Sequence, residues 1–141
     1  MEVDITRSLG LDIGDKRIGV ALSDPGGRLA SPFTIINCQG DMTDVAAITD
    51  IISQQQVKKV IVGLPRSMDG SLSKQAEKVK TFTRKLCSHT EAPVEFRDER
   101  LTTVSAKRLV RDANTRKAKS KVRYDAIAAA LILQGYLDEK H

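Results

Sequence analysis

Three places in this sequence carry acids among residues typical of a protein interior. Asp12 stands in the run L-G-L-D-I-G, Asp98 and Glu99 close the run V-E-F-R-D-E, and Asp125 precedes A-I-A-A-A-L-I-L. An unpaired buried carboxylate is expensive, so each needs a cation, a capping role or solvent nearby. Singly, each has a structural explanation: Asp125 as an acid facing a helix dipole, Asp12 as an acceptor for the glycine-rich turn after it, Asp98-Glu99-Arg100 as a local ion pair. Brought together with no base beside them, they form a hard-oxygen donor set suited to Mg²⁺ or Mn²⁺. Two such ions about 3.5–4 Å apart activate a water and stabilise the leaving oxygen of a phosphodiester.

That chemistry needs a polyanion, and the charge distribution supplies a partner surface. Between Arg100 and Arg123 stand nine basic residues opposed only by Asp112, whereas the rest of the chain holds fourteen basic against seventeen acidic residues. The net charge of +5 is therefore concentrated, which suggests nucleic acid, although a solvated helix face followed by a basic loop accounts for the charge alone.

The elements that must position the acids follow from periodicity. Ser8–Ile13 and Arg17–Ser23 read as strands joined by a turn too short for anything but a hairpin. Pro25-Gly26-Gly27 is a turn signal, and Ser31–Asn37 a third strand. Asp41 is expected to cap a helix carrying Met42, Val45, Ile48, Ile51 and Ile52 at helical spacing. Lys59–Leu64 is a β-branched run expected to be covered on both faces. After the turn-rich loop Pro65–Leu72, Ser73 caps a helix with Ala76, Val79, Phe82 and Leu86 on one stripe, and Pro93 precedes a last strand, Val94–Asp98. Thr102 can cap a further helix, Asp112–Lys121 reads as a basic loop, and Tyr124–Tyr136 as a helix apolar nearly all round, with Asp125 opening it. The sum is one α/β domain over residues 1–141, with an antiparallel start followed by parallel strands and crossover helices. In such a sheet ligands gather at the carboxyl ends of the strands, where these acids fall.

Composition excludes several classes. The absence of Trp and an aromatic content of 4% weigh against base-stacking RNA modules. Cys38 and Cys87 share no metal-ligand spacing and are expected to be small buried side chains, and His89 and His141 to be surface residues. No apolar run reaches membrane-spanning length and no signal-peptide core is present, so a cytoplasmic location away from membranes is expected.

The strings L9-G-L-D-I-G-D-K-R-I-G-V-A-L-S23, V62-G-L-P-R-S-M-D-G70, D98-E-R-L-T-T-V-S-A-K-R108 and Y124-D-A-I-A-A-A-L-I-L-Q-G-Y136, in this order, resemble the YqgF (RuvX) family from about Leu9 to Tyr136. Members are described as proposed Holliday-junction resolvases or pre-16S rRNA nucleases. The resemblance implies an RNase H-like fold: a five-stranded mixed sheet, order 3-2-1-4-5 with strand 2 antiparallel, flanked by helices. It also implies phosphodiester cleavage with Mg²⁺ or Mn²⁺. Carried over by position, the family acids fall on Asp12, Glu99 and Asp125, with Asp12 bridging two ions. Related resolvases place a glutamate at the end of the fourth strand, where this chain has Gly63-Leu64-Pro65. By strand alternation Asp98 shares a face with Val94 and Phe96, so Glu99 is the favoured ligand, Asp98 the second choice and Asp69 an outside candidate. Lys16, Arg17, Arg66, Arg100, Lys121 and Arg123 are the candidate nucleic-acid contacts.

Two readings of other classes compete. The D-x-G-x-x-x-x-G turn before a hairpin also resembles the phosphate loop of actin-like ATPases, but those close two such domains over a nucleotide. A noncatalytic RNA-binding or assembly factor would keep the basic surface without metal-dependent product. Within the nuclease reading, pre-16S rRNA maturation, with the substrate free or in a ribosomal particle, leads over junction-DNA cleavage. Junction cleavage calls for a two-fold dimer, and no pattern in the sequence advertises an interface. A monomer or weak dimer is the expectation.

Overall fold

The computed structural model describes residues 6–65, 73–99 and 121–140. The expected loop after Pro65, the helix from Thr102 and the basic stretch up to residue 120 lie outside these residues. The described elements are β1 (Ser8–Ile13), β2 (Arg17–Ser23), β3 (Ala30–Asn37), α1 (Asp41–Gln54), β4 (Lys59–Leu64), α2 (Lys74–Cys87), β5 (Val94–Asp98) and α3 (Lys121–Lys140). The strands form a five-stranded sheet in the order β3-β2-β1-β4-β5. Strand β2 runs antiparallel to both neighbours, while β4 is parallel to β1 and to β5. This is the expected topology.

Strand parity divides the core in two. In the β1–β2 register Leu11 faces Val20 and Ile13 faces Ile18, and these side chains, with Leu9, Val60 and Val62, pack against Val45 and Ile48 of α1 and Val79, Phe82 and Leu86 of α2. The alternate positions are small: Gly10 pairs with Ala21 and Asp12 with Gly19. They lie under α3, where Ala129, Ile132, Leu133 and Leu137 pack on Ala21 and Ile61. A Cβ at Gly10 would sit 2.8 Å from the Ala129 carbonyl oxygen, so α3 rests directly on the strand backbone. Among the described residues no helix is long and apolar enough to cross a membrane.

Some local expectations need correction. Helix α1 is capped by Gly40 (φ 137°) rather than Asp41, which becomes its first residue and pairs with Lys85 Nζ at 2.7 Å. The left-handed turn at Gly40 delivers the chain into the helix, and the buried Asp44 accepts the Gln39 amide at 3.0 Å. Met42, expected on the inward stripe, is 56% exposed. The expected Ser73 cap forms, its hydroxyl accepting the Ala76 amide at 3.2 Å. The cysteines are not the buried pair expected: Cys38 is half-buried and Cys87 exposed, the latter following the inward Leu86 at the end of α2. Helix α3 runs beyond both ends of the expected segment, because no breaker separates Lys121 from Tyr124 and Leu137–Lys140 are good helix formers. Strand β3 includes Pro32 opposite Ala21, with its register shifted by an irregularity at Val20/Ala21. Proline lacks the amide that a central strand must donate, and β3 is an edge strand.

Candidate active site

Two glycines on the α3 face bring the acids together. Asp12 is the next-to-last residue of β1, paired with Gly19 of β2, and both point toward α3. A Cβ at Gly19 would lie 2.0 Å from the backbone oxygen of Asp125 and 3.0 Å from the Ala126 nitrogen. No side chain fits there; only glycine lets this turn of α3 sit on β2. Helix α3 is already formed at Lys121, so Asp125 lies past its first described turn and not at the dipole end, which removes the capping explanation for it.

The third acid arrives over a second gap. In the β4–β5 register Gly63 pairs with Arg97 and Leu64 with Asp98. Arg97 lies across Gly135 of α3 and pairs with Glu139 at 2.8 Å, so odd-numbered positions here face α3. Glu99, just past β5, follows the same parity. A Cβ built on Gly63 would meet Glu99 Oε1 at 2.9 Å and Ile132 Cδ1 at 2.5 Å. The missing side chain at the end of β4 is thus the space the Glu99 carboxylate uses. Asp98, by register, shares the opposite face with Leu64.

Electrostatics ties the cluster together. Burial, then the charges of Glu99 and Asp125, then a side-chain hydrogen bond with Glu99, push the Asp12 carboxyl up from 3.8 to about 7. Asp125 has a cationic partner: Arg17 Nε donates to its Oδ2 at 3.0 Å, across 108 residues of sequence. Arg17 opens β2 two residues before Gly19 and therefore shares its face. The hairpin before it is closed by the Gly14 amide donating to the Arg17 carbonyl at 2.9 Å. Lys16, in that turn, is exposed. Among the described residues no group of three or more His, Cys, Asp or Glu side chains stands ready as a closed metal-ligand set. The carboxylates instead share a site in which Asp12 and Glu99 hydrogen-bond and Arg17 neutralises Asp125. Arg66, Asp69 and Arg100 lie outside the described residues, as do the side chains of Lys121 and Arg123.

The sequence reading did not foresee the Arg17–Asp125 pair, nor the two glycines as the reason the acids meet. A signal for the glycines was present: Gly10, Gly19 and Gly63 interrupt strands that are otherwise apolar, the mark of close backbone approach.

The same architecture occurs in resolvases of known structure. *Thermus thermophilus* RuvC, solved in complex with a Holliday junction substrate, superposes with a TM-score of 0.66 at 12% identity, covering 96% of each chain. The fowlpox virus Holliday junction resolvase gives 0.59 at 13% identity, covering 96% of this chain and all of its own. At these identities the likeness defines the fold alone, the one shared with these resolvases. The sequence goes further. Residues 6–139 match the family described as "RuvX: Holliday junction resolvase", and the chain belongs to that family. A *Moorella thermoacetica* protein is 46% identical over 132 residues, 94% of each chain. One from *Caldanaerobacter subterraneus* subsp. *tengcongensis* is 46% identical over 135 residues, 95% of this chain and 97% of its own. The names of both mark them as candidate pre-16S rRNA nucleases.

Proposed function

We propose that this chain is a divalent-metal-dependent nuclease that hydrolyses phosphodiester bonds of precursor 16S rRNA at its 5′ end, working in the cytoplasm where that RNA is made. The observation that carries the reading is the gathering of Asp12, Glu99 and Asp125 on one face over Gly19 and Gly63. Three crowded carboxylates, with no histidine beside them among the described residues, suit Mg²⁺ or Mn²⁺, whose charge would offset the burial and the repulsion that lift Asp12. Asp12, Glu99 and Asp125 would hold the metal. When bound, it supplies an activated water and charge stabilisation at phosphorus. The remaining work belongs to the chain. The floor formed by β1, β2 and α3 limits water on the apolar side, and Lys16 and Arg17 at the open hairpin hold substrate phosphates. The relatives' names favour RNA, whereas the family description names junction DNA.

The test is cleavage of ribosome-bound precursor 16S RNA beside a mobile four-way DNA junction, in Mg²⁺ and in Mn²⁺, by wild type and Asp12→Asn. RNA product from wild type alone is the expected result, with Asp12→Asn retaining fold and RNA affinity. Junction-only cleavage reassigns the substrate. Full activity in Asp12→Asn, or no product from either protein at any metal concentration, overturns the nuclease reading in favour of a noncatalytic RNA-binding factor.

A further inference from the structure

Arg17 is bonded to Asp125 of the acid cluster, and three features of its contact define a role for it. The contact is single: Nε holds Asp125 Oδ2 at 3.0 Å, and among the described residues no other hydrogen bond or ion pair engages the guanidinium. It is accessible, with the side chains of Arg17 and Asp125 37% and 25% exposed. It is also fixed at its root, because Arg17 is held by the closed hairpin and shares the face of Gly19, against which the Asp125 backbone is pressed. The pair is part-exposed and engages the guanidinium through Nε alone, so solvent screens it. A phosphate offers the same guanidinium acceptors for two parallel N–H donors, the bidentate geometry that the single contact to Asp125 lacks. The guanidinium therefore gains by exchanging a carboxylate for a phosphate, and the exchange frees an oxygen of Asp125.

We propose that Arg17 is a positioning residue that couples substrate to metal. In the free protein it occupies Asp125 and competes with a divalent cation; a nucleic-acid phosphate draws the guanidinium away and releases the carboxylate to the ion. This rests on the reading of Asp125 as a metal ligand. Because binding couplings are reciprocal, the metal must in turn tighten phosphate binding through the same residue. The device disfavours loading of the centre until a polyanion is in place.

The experiment measures Mn²⁺ binding to the full chain by electron paramagnetic resonance, without substrate, in wild type, Arg17→Gln, Arg17→Lys, Asp125→Asn and the Arg17→Gln/Asp125→Asn double variant. Circular dichroism checks each fold. The same titrations are repeated with a 2′-O-methyl RNA hairpin, corrected for Mn²⁺ bound by the hairpin alone. Arg17→Gln should bind Mn²⁺ roughly tenfold more tightly than wild type, and the hairpin should no longer raise its affinity. Arg17→Lys, keeping the charge, should stay near wild type, and the gain should vanish when Asp125 is already Asn. Unchanged or weaker Mn²⁺ binding in Arg17→Gln overturns the proposal, as does a gain that persists without the Asp125 carboxylate. An Asp12→Asn protein that binds Mn²⁺ as wild type does would instead overturn the metal site itself, so the two failures are separable. Should Arg17→Gln not fold, the Arg17→Lys protein decides: a hairpin effect equal to the one seen in Asp125→Asn overturns the coupling.

Discussion

At the scale of single residues, burial and then the charges of Glu99 and Asp125 penalise the Asp12 carboxylate, and a proton or a cation relieves that penalty. Asp12 binds its proton more tightly in the folded chain, near pH 7, than at its ordinary 3.8. Between those values the folded state holds more protons than the unfolded one, so stability falls as pH rises through the interval, and below it the penalty is absent. Without divalent ions, Asp12→Asn should therefore melt higher than wild type by about 5 °C near pH 8, a gap that closes near pH 4. Calorimetry in chelator checks this; equal melting temperatures at the higher pH would mean that the Asp12 carboxylate is neither buried nor crowded as described. Asp12 and Asp125 stood out in the sequence because the first interrupts an apolar run and the second opens one, whereas Glu99 stood out only by its place at the end of a strand. Strand alternation already favoured Glu99 over Asp98; what the sequence did not show is the space above Gly63 that the Glu99 carboxylate uses. Arg17 read as one more hairpin cation, because nothing local announces a partner 108 positions away.

At the scale of elements, helix α3 is placed by what β1 and β2 lack. A methyl at position 19 would meet backbone atoms of Asp125, which no rotamer change relieves, so the helix must lift. Gly19→Ala should cost about 1–3 kcal/mol in denaturant unfolding. It should also lower cleavage by about a hundredfold, since a displacement near 1 Å at reacting groups has that effect. Gly26→Ala is the control: its added carbon would meet only the exposed Asp24 carboxylate, at 3.5 Å, and both measurements should stay near wild type. Equal behaviour of the two variants would remove Gly19 from the account. Strands β1, β2, β4 and β5 were readable to the residue because alternation and β-branching stop at turn formers. The start of α3 was not, because Lys121-Val122-Arg123 carries no apolar period although it is helical.

At the scale of the whole molecule, the order β3-β2-β1-β4-β5 sets the carboxyl ends of β1 and β5 on opposite sides of β4, and both deliver acids to one face. Topology was legible once the hairpin and the crossovers were recognised, because a short turn and long connections allow few alternatives. The positive charge of the chain is concentrated between residues 100 and 123. Replacing Lys117 and Lys119 with Gln should weaken RNA binding and flatten the dependence of log affinity on log salt by about 1.4, if both touch phosphate. Filter binding over a salt series reads this directly, and an unchanged slope would place the phosphate grip elsewhere.

The proline of β3 carries a consequence for the molecule in company. An open sheet offers its outermost strand as a template on which another copy can add, the first step toward fibrils. In β3 that invitation is weakened: Pro32 has no amide to offer and the register of the strand shifts beside it. This rim of the sheet thus offers a second copy little on which to extend it.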